Sequence, residues 1–95
     1  MVHTMTIGNI TRFIQRYFPD VEVVEGTYTQ TLTSGENVSY VRYTDSYFGA
    51  VLSVHDGNVY DIELFNPGGI NTTVVYPTKC MLKQLLSDYE VANYD

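Results

Sequence analysis

The chain has 95 residues, 44% of them hydrophobic and only 17% charged, a composition that argues against intrinsic disorder and fits one domain over residues 1–95. Eleven Asp and Glu stand against five Lys and Arg, a formal net charge of −6. That balance disfavours direct binding of nucleic acid, whose phosphates call for clustered cations, and it favours basic partners.

The first element is a helix. In "TIGNITRFIQRYFPD", Ile7, Ile10, Phe13, Ile14 and Tyr17 recur at spacings of three and four and make one apolar stripe. Thr6 is the expected N-cap, and Pro19 stops the helix near Phe18. Arg12 and Arg16, four apart, fall on the opposite face. "VEVVEGTYTQTLT" follows, rich in β-branched residues, and reads as a strand whose alternation slips phase, with Val21 and Val23 on one side and then Val24, Tyr28 and Leu32 on the other. A bulge near Glu25–Gly26 would absorb the slip. "SGEN" is a turn into the strand "VSYVRYT", which carries bulky residues on both faces: Val38 and Tyr40 on one, Val41 and Tyr43 on the other.

"YFGAVLSVH" is the clearest strand, with Phe48, Ala50, Leu52 and Val54 on one side. The Asp-Gly that follows suggests a two-residue hairpin loop, but that register sets Leu52 against Asp61. A three-residue loop, Asp56-Gly57-Asn58, moves the partner strand by one residue, so that Val54 meets Tyr60, Leu52 meets Ile62 and Ala50 meets Leu64. Burial selects this second register, because a slip of one residue turns a whole apolar set to the wrong side. "FNPGGIN" is the next turn and "INTTVVY" a short last strand. The second helix begins at Pro77–Thr78 and has Leu82, Leu85, Leu86 and Tyr89 as its core stripe; the tail "VANYD" is expected to fray. The fold class is therefore α+β: an N-terminal helix, a four- to five-stranded, mostly antiparallel β-meander, and a C-terminal helix, with both helices packed on one sheet face.

Motifs that carry chemistry are weak. Ser53, His55 and Asp61 share the solvent side of the hairpin, but the order along the sheet puts the serine rather than the histidine nearest the acid. No Gly-rich turn or helix start nearby would hold an oxyanion, so polar cross-strand pairing is the default. His55 with Asp56 and Asp61 lacks a recognised metal spacing, and "DGNVYDIE" lacks the rest of a calcium loop. "NPGG" and "SGEN" match no phosphate-binding pattern. Cys80 is the only cysteine, which rules out an internal disulfide, points to a reducing compartment such as the cytoplasm, and leaves a structural thiol as its simplest role. No apolar run approaches the roughly 18 residues of a membrane span, and "MVHTMTIGN" lacks the apolar core of a secretory signal. No catalytic residue, metal or cofactor is assigned.

The tyrosines are more informative: nine, against four Phe and no Trp. Tyr40 and Tyr43 have opposite parity, so at least one of them, and Tyr47 with it, is expected on the outer face among acids. Tyrosine brings contact area at low entropy cost, which suits a protein interface. Tyr40, Tyr43, Tyr47, Asp45, Asp61 and Glu63 form the expected partner-binding set. The leading expectation is a non-catalytic interaction module docking on another protein with a basic surface. By analogy of size and charge alone, it would be an inhibitor of phage or mobile-element type acting in the host cytoplasm, standing in for nucleic acid on its partner. A self-assembling structural protein, a homodimer in the simplest case, is the alternative; an enzyme using His55 is the third.

Overall fold

The structure, a computed structural model, describes residues 5–30, 36–46, 48–65 and 71–94. Its elements run α1 (Ile7–Tyr17), β1 (Glu22–Gln30), β2 (Glu36–Thr44), β3 (Gly49–His55), β4 (Asn58–Phe65), β5 (Asn71–Val75) and α2 (Lys79–Tyr94). The strands form one open sheet in the order β1-β2-β3-β4-β5, every neighbouring pair antiparallel. The expected meander between two helices is thus present, with five strands.

Both helices cover one face. Ile10, Phe13 and Ile14 of α1 and Leu82 and Leu86 of α2 join the inward residues of the strands in a single core. Two cross-strand rows form its floor: Val41, Leu52, Ile62 and Val74 in one, Tyr43, Ala50 and Leu64 in the other. Leu52, Ile62, Ala50 and Leu64 are wholly inaccessible. The Thr6 hydroxyl accepts from the Asn9 N–H at 3.2 Å and caps α1 as expected. The helix ends at Phe18, whose N–H donates to the Ile14 carbonyl at 2.8 Å. The buried Phe18 ring lies flat on Phe48 across the core, centroids 4.3 Å apart and planes 5° from parallel, and this ties the end of α1 to the β2–β3 connection. Among the described residues no helix is long and apolar enough to cross a membrane.

Three expectations change. The loop of the β3–β4 hairpin has two residues, not three: His55 pairs with Asn58 and Val54 with Val59 rather than Tyr60. Asp56 and Gly57 take positive φ values of 52° and 78°, the conformation of a type I′ turn, and Asn58 does not. A bulge then leaves Tyr60 without a partner on β3, so Ser53 faces Asp61, Leu52 faces Ile62 and Ala50 faces Leu64. The strand bodies hold the expected register, but the extra residue lies within β4 instead of within the turn.

No bulge interrupts β1, which pairs regularly with β2 from Glu22 to Gln30. The phase slip disappears because Val24 simply stands on the outer face, 41% exposed. The chain expected to fray after Glu90 continues α2 to Tyr94. The "FNPGGIN" turn falls mostly, and Leu32 wholly, outside the described residues.

Candidate interaction surface

Among the described residues no helix lies on the outer face of the sheet, although Val38, toward one end of it, is fully buried. Two rows of side chains cross it: Val24, Arg42, Val51, Glu63 and Thr73 in one, Gly26, Tyr40, Ser53, Asp61 and Val75 in the other. Glu22, pairing with Thr44, adds another acid at the margin. Acids therefore outnumber the one described cation of this face, Arg42, and apolar groups lie between them, with Val75 48% exposed.

Of the residues expected to meet a partner, Asp61 and Glu63 stand on this face, Asp61 half-buried and Glu63 exposed. Tyr40 is also there, but it lies down. Its ring covers Gly26 on β1, in the space a side chain at that position would fill, and the Arg42 guanidinium stands 5.6 Å from the ring centre. Asp45 sits in the β2–β3 connection, where its carboxylate accepts from the Phe48 N–H at 2.7 Å and its own N–H donates to the Phe48 carbonyl at 2.9 Å; it shapes a turn. Tyr47 lies outside the described residues.

Tyr43 must be removed from the surface set. It is fully buried on the helix-covered face, where its hydroxyl and that of Thr11 on α1 share a 2.7 Å hydrogen bond. Parity showed that Tyr40 and Tyr43 point apart; Thr11 explains why Tyr43 is the inner one, since a buried phenol needs a polar partner and α1 supplies it. Burial holds the Tyr43 pKa above its ordinary 10.0, the Thr11 hydrogen bond opposes this, and the nearby Glu25 carboxylate adds to the rise. The neutral phenol is therefore favoured by folding. Its contribution is complete below pH 10 and lost as pH rises through the folded-state value. Tyr43→Phe, which leaves the Thr11 hydroxyl without its partner, is expected to cost about 1 kcal/mol at neutral pH. Urea midpoints measured from neutral pH to above pH 10 are expected to fall less steeply for Tyr43→Phe than for the wild type.

The hairpin candidates are positioned without joining. Ser53 faces Asp61, whereas the His55 ring packs on Tyr60, centroids 4.6 Å apart. No side-chain hydrogen bond links Ser53, His55 and Asp61, and among the described residues no three His, Cys, Asp or Glu groups gather as metal ligands. Cys80 is exposed in the first turn of α2.

Two features went unread in the sequence. Four of the five cations, Arg12, Arg16, Lys79 and Lys83, belong to the helices, and three of them line one groove beside Phe13, so the helical layer is basic while the sheet face is acidic. The second feature is at one end of the sheet. There His55, Tyr60 and Tyr76 form a continuous aromatic cluster bordering a cleft of about 730 Å³ between the start of α1 and the β3–β4 hairpin. The signal for it was slight: three aromatic residues at strand ends, brought together only by the return of β4 and β5.

The chain matches no protein-family model, no curated protein and no solved structure.

Proposed function

We propose that the chain is a non-catalytic protein-interaction module that docks through the open face of its sheet on a partner with a basic surface. The observation that carries this reading is the middle of the outer sheet face, which no described helix covers and where Glu22, Asp61 and Glu63 stand among the apolar Val24, Val51 and Val75. A sheet of this kind buries one side under its helices and leaves the other to water or to a second molecule. Apolar area within an acidic field suits a complex in which charge steers the encounter and the valines and Tyr40 supply contact. An inhibitor occupying the nucleic-acid surface of a basic protein is the form of such a module that best fits the net charge of −6.

Affinity capture from the native host tests this reading. A protein retained on the wild-type chain at about 0.1 M salt is expected to elute as salt approaches about 0.5 M, where screening shortens the reach of exposed charges. The double variant Asp61→Lys/Glu63→Lys should lose it, and Lys79→Glu/Lys83→Glu, on the helical side, should keep it. Retention indifferent both to salt and to the sheet-face reversal would overturn the proposal.

Self-assembly is supported by a separate observation. β5 is an edge strand of five residues, Asn71–Val75, with no charge along it. Uncharged open edges are templates for pairing with another strand. A stable dimer in light scattering at micromolar concentration would favour this second reading, and a monomer the first.

A further inference from the structure

The cleft at the end of the sheet is where the backbone departs most from the ordinary. Among the described residues the positive φ values belong to Asp56, Gly57 and Tyr76, and all three line this cleft, as does the bulge residue Tyr60. The turn accounts for Asp56 and Gly57. Nothing of that kind accounts for Tyr76, a bulky residue at φ 52° directly before Pro77, a position where both the side chain and the following proline disfavour that conformation. It is held there by its N–H, which donates to the Tyr60 carbonyl at 2.7 Å, and by the buried Pro77, whose carbonyl accepts from the Met5 N–H at 3.3 Å. Strain of this kind persists where the surroundings over-determine it, and it points to a site.

The strain has one visible result. It sets the Tyr76 ring, 56% exposed, perpendicular to that of Tyr60, with centroids 5.7 Å apart and planes at 85°. The bulge turns Tyr60 outward, 37% exposed, with His55 backing it at 4.6 Å. Two partly exposed rings at a right angle make a corner that offers a guest aromatic surface on two sides. Among the described residues no Lys or Arg lines the cleft, and Asp56 does. Thr6, Ile7 and Gly8, at the start of α1, also line it, and the helix dipole there leaves the Asp56 side as the place for a positive guest.

We propose that the Tyr60–Tyr76 corner seats an arginine side chain of the basic partner, its guanidinium lying against the two rings and facing Asp56. This rests on the proposed function and names the partner group that anchors it. A guanidinium fits better than other cations because it is planar, weakly hydrated and stacks on aromatic faces while its edge donates to a carboxylate. The acidic sheet face then steers the partner, and the corner fixes one of its arginines in place.

The test uses the whole chain and no partner. Capped arginine amide is titrated into the protein and followed by NMR, with capped citrulline amide, its neutral isostere, as the control. Arginine is expected to shift the ring signals of His55, Tyr60 and Tyr76 saturably, and citrulline to bind at least fivefold more weakly. Tyr60→Ala, Tyr76→Ala and Tyr76→Gly should each abolish the response. Tyr76→Gly should melt above Tyr76→Ala, since glycine adopts φ 52° without strain; folding of either variant makes its loss of binding interpretable. Equal binding of citrulline, or arginine shifts that avoid these rings, would overturn the inference. A partner captured equally by the wild type and Tyr76→Gly, but lost with Asp61→Lys/Glu63→Lys, would refute the corner and leave the docking face standing. Arginine binding in the corner without any basic partner would do the reverse.

Discussion

Deletion of Val51 is expected to unfold the protein, whereas deletion of Tyr60, on the neighbouring strand of the same hairpin, is expected to leave it folded. Side chains alternate along a strand with a period of two, so removing one residue turns everything on one side of the gap to the other face. In β3 either half can give way, and both outcomes are severe. If the half toward the turn slips, Leu52 and Val54, at 0% and 4% exposure, move to the open face while Ser53 and His55 go under the helices. If the other half slips, Phe48 leaves its stack on Phe18 and Gly49 replaces Ala50 opposite Tyr43. Loss of one large core side chain alone costs about 3–5 kcal/mol, and the total stability expected of a domain is about 5–15 kcal/mol.

Tyr60 is different because it is already the supernumerary residue. Without it, Val54 still faces Val59, Ser53 faces Asp61 and Leu52 faces Ile62, now in an uninterrupted ladder. What is lost is the Tyr60 carbonyl that accepts from Tyr76 and the contacts of its ring with His55 and Tyr76, groups at the margin of the core. The net cost is expected to stay below about 2 kcal/mol. Circular dichroism and a urea titration of the two deletion variants check the contrast. Two equally unfolded chains would mean that Tyr60 is integral to the ladder and not an insertion in it.

The same hairpin shows what the sequence could and could not disclose. Two signals conflict in residues 53–63: Asp-Gly asks for a two-residue turn, and the burial of Leu52 against Ile62 asks for one more residue between the strands. Both are satisfied in the structure, the first at φ 52° and 78°, the second by the bulge. A longer loop meets the burial requirement equally well on paper, but it forgoes the twist of the I′ turn, which matches that of the strands. Alternation alone does not weigh one device against the other. Similarly, the spacing of Tyr40 and Tyr43 established that they oppose each other, and only the arrival of Thr11 on α1 decides which is inside. Helix periodicity was more decisive. The stripe from Ile7 to Tyr17, the Thr6 cap and the stop before Pro19 are local facts and emerge as read.

The candidate site was legible only in part. Asp61 and Glu63 occupy the open face because register and parity place them there, and both follow from pattern. The aromatic corner depends on the bulge and on the unusual conformation of Tyr76, and neither is written in periodicity. Such departures from local preference tend to gather where a protein does something other than fold, which is why the end of the sheet carries the anchoring proposal.

Leu52→Ala is expected to cost about 3 kcal/mol and to lower the melting temperature by about 15 °C, whereas Val51→Ala, one residue away, is expected to cost less than about 1 kcal/mol. Leu52 occupies the middle of the central strand, between Val41 and Ile62 in the row beneath the helices, and no part of it reaches solvent. Truncating it removes methyl groups from a space closed by Val41, Ile62 and the rest of the core cluster, and such a space collapses poorly, so the cavity adds to the lost transfer free energy. Val51 stands half-buried on the opposite face between Arg42 and Glu63, where water replaces whatever its methyl groups touched. Leu52→Ala removes one carbon more than Val51→Ala, worth about 1 kcal/mol, and the rest of the difference measures how completely the helices cover one face and leave the other open. Urea unfolding of both variants with unchanged m-values supplies the comparison. Near-equal losses would mean that the outer face is itself covered, and the docking surface proposed for it would then have no open area on which to receive a partner.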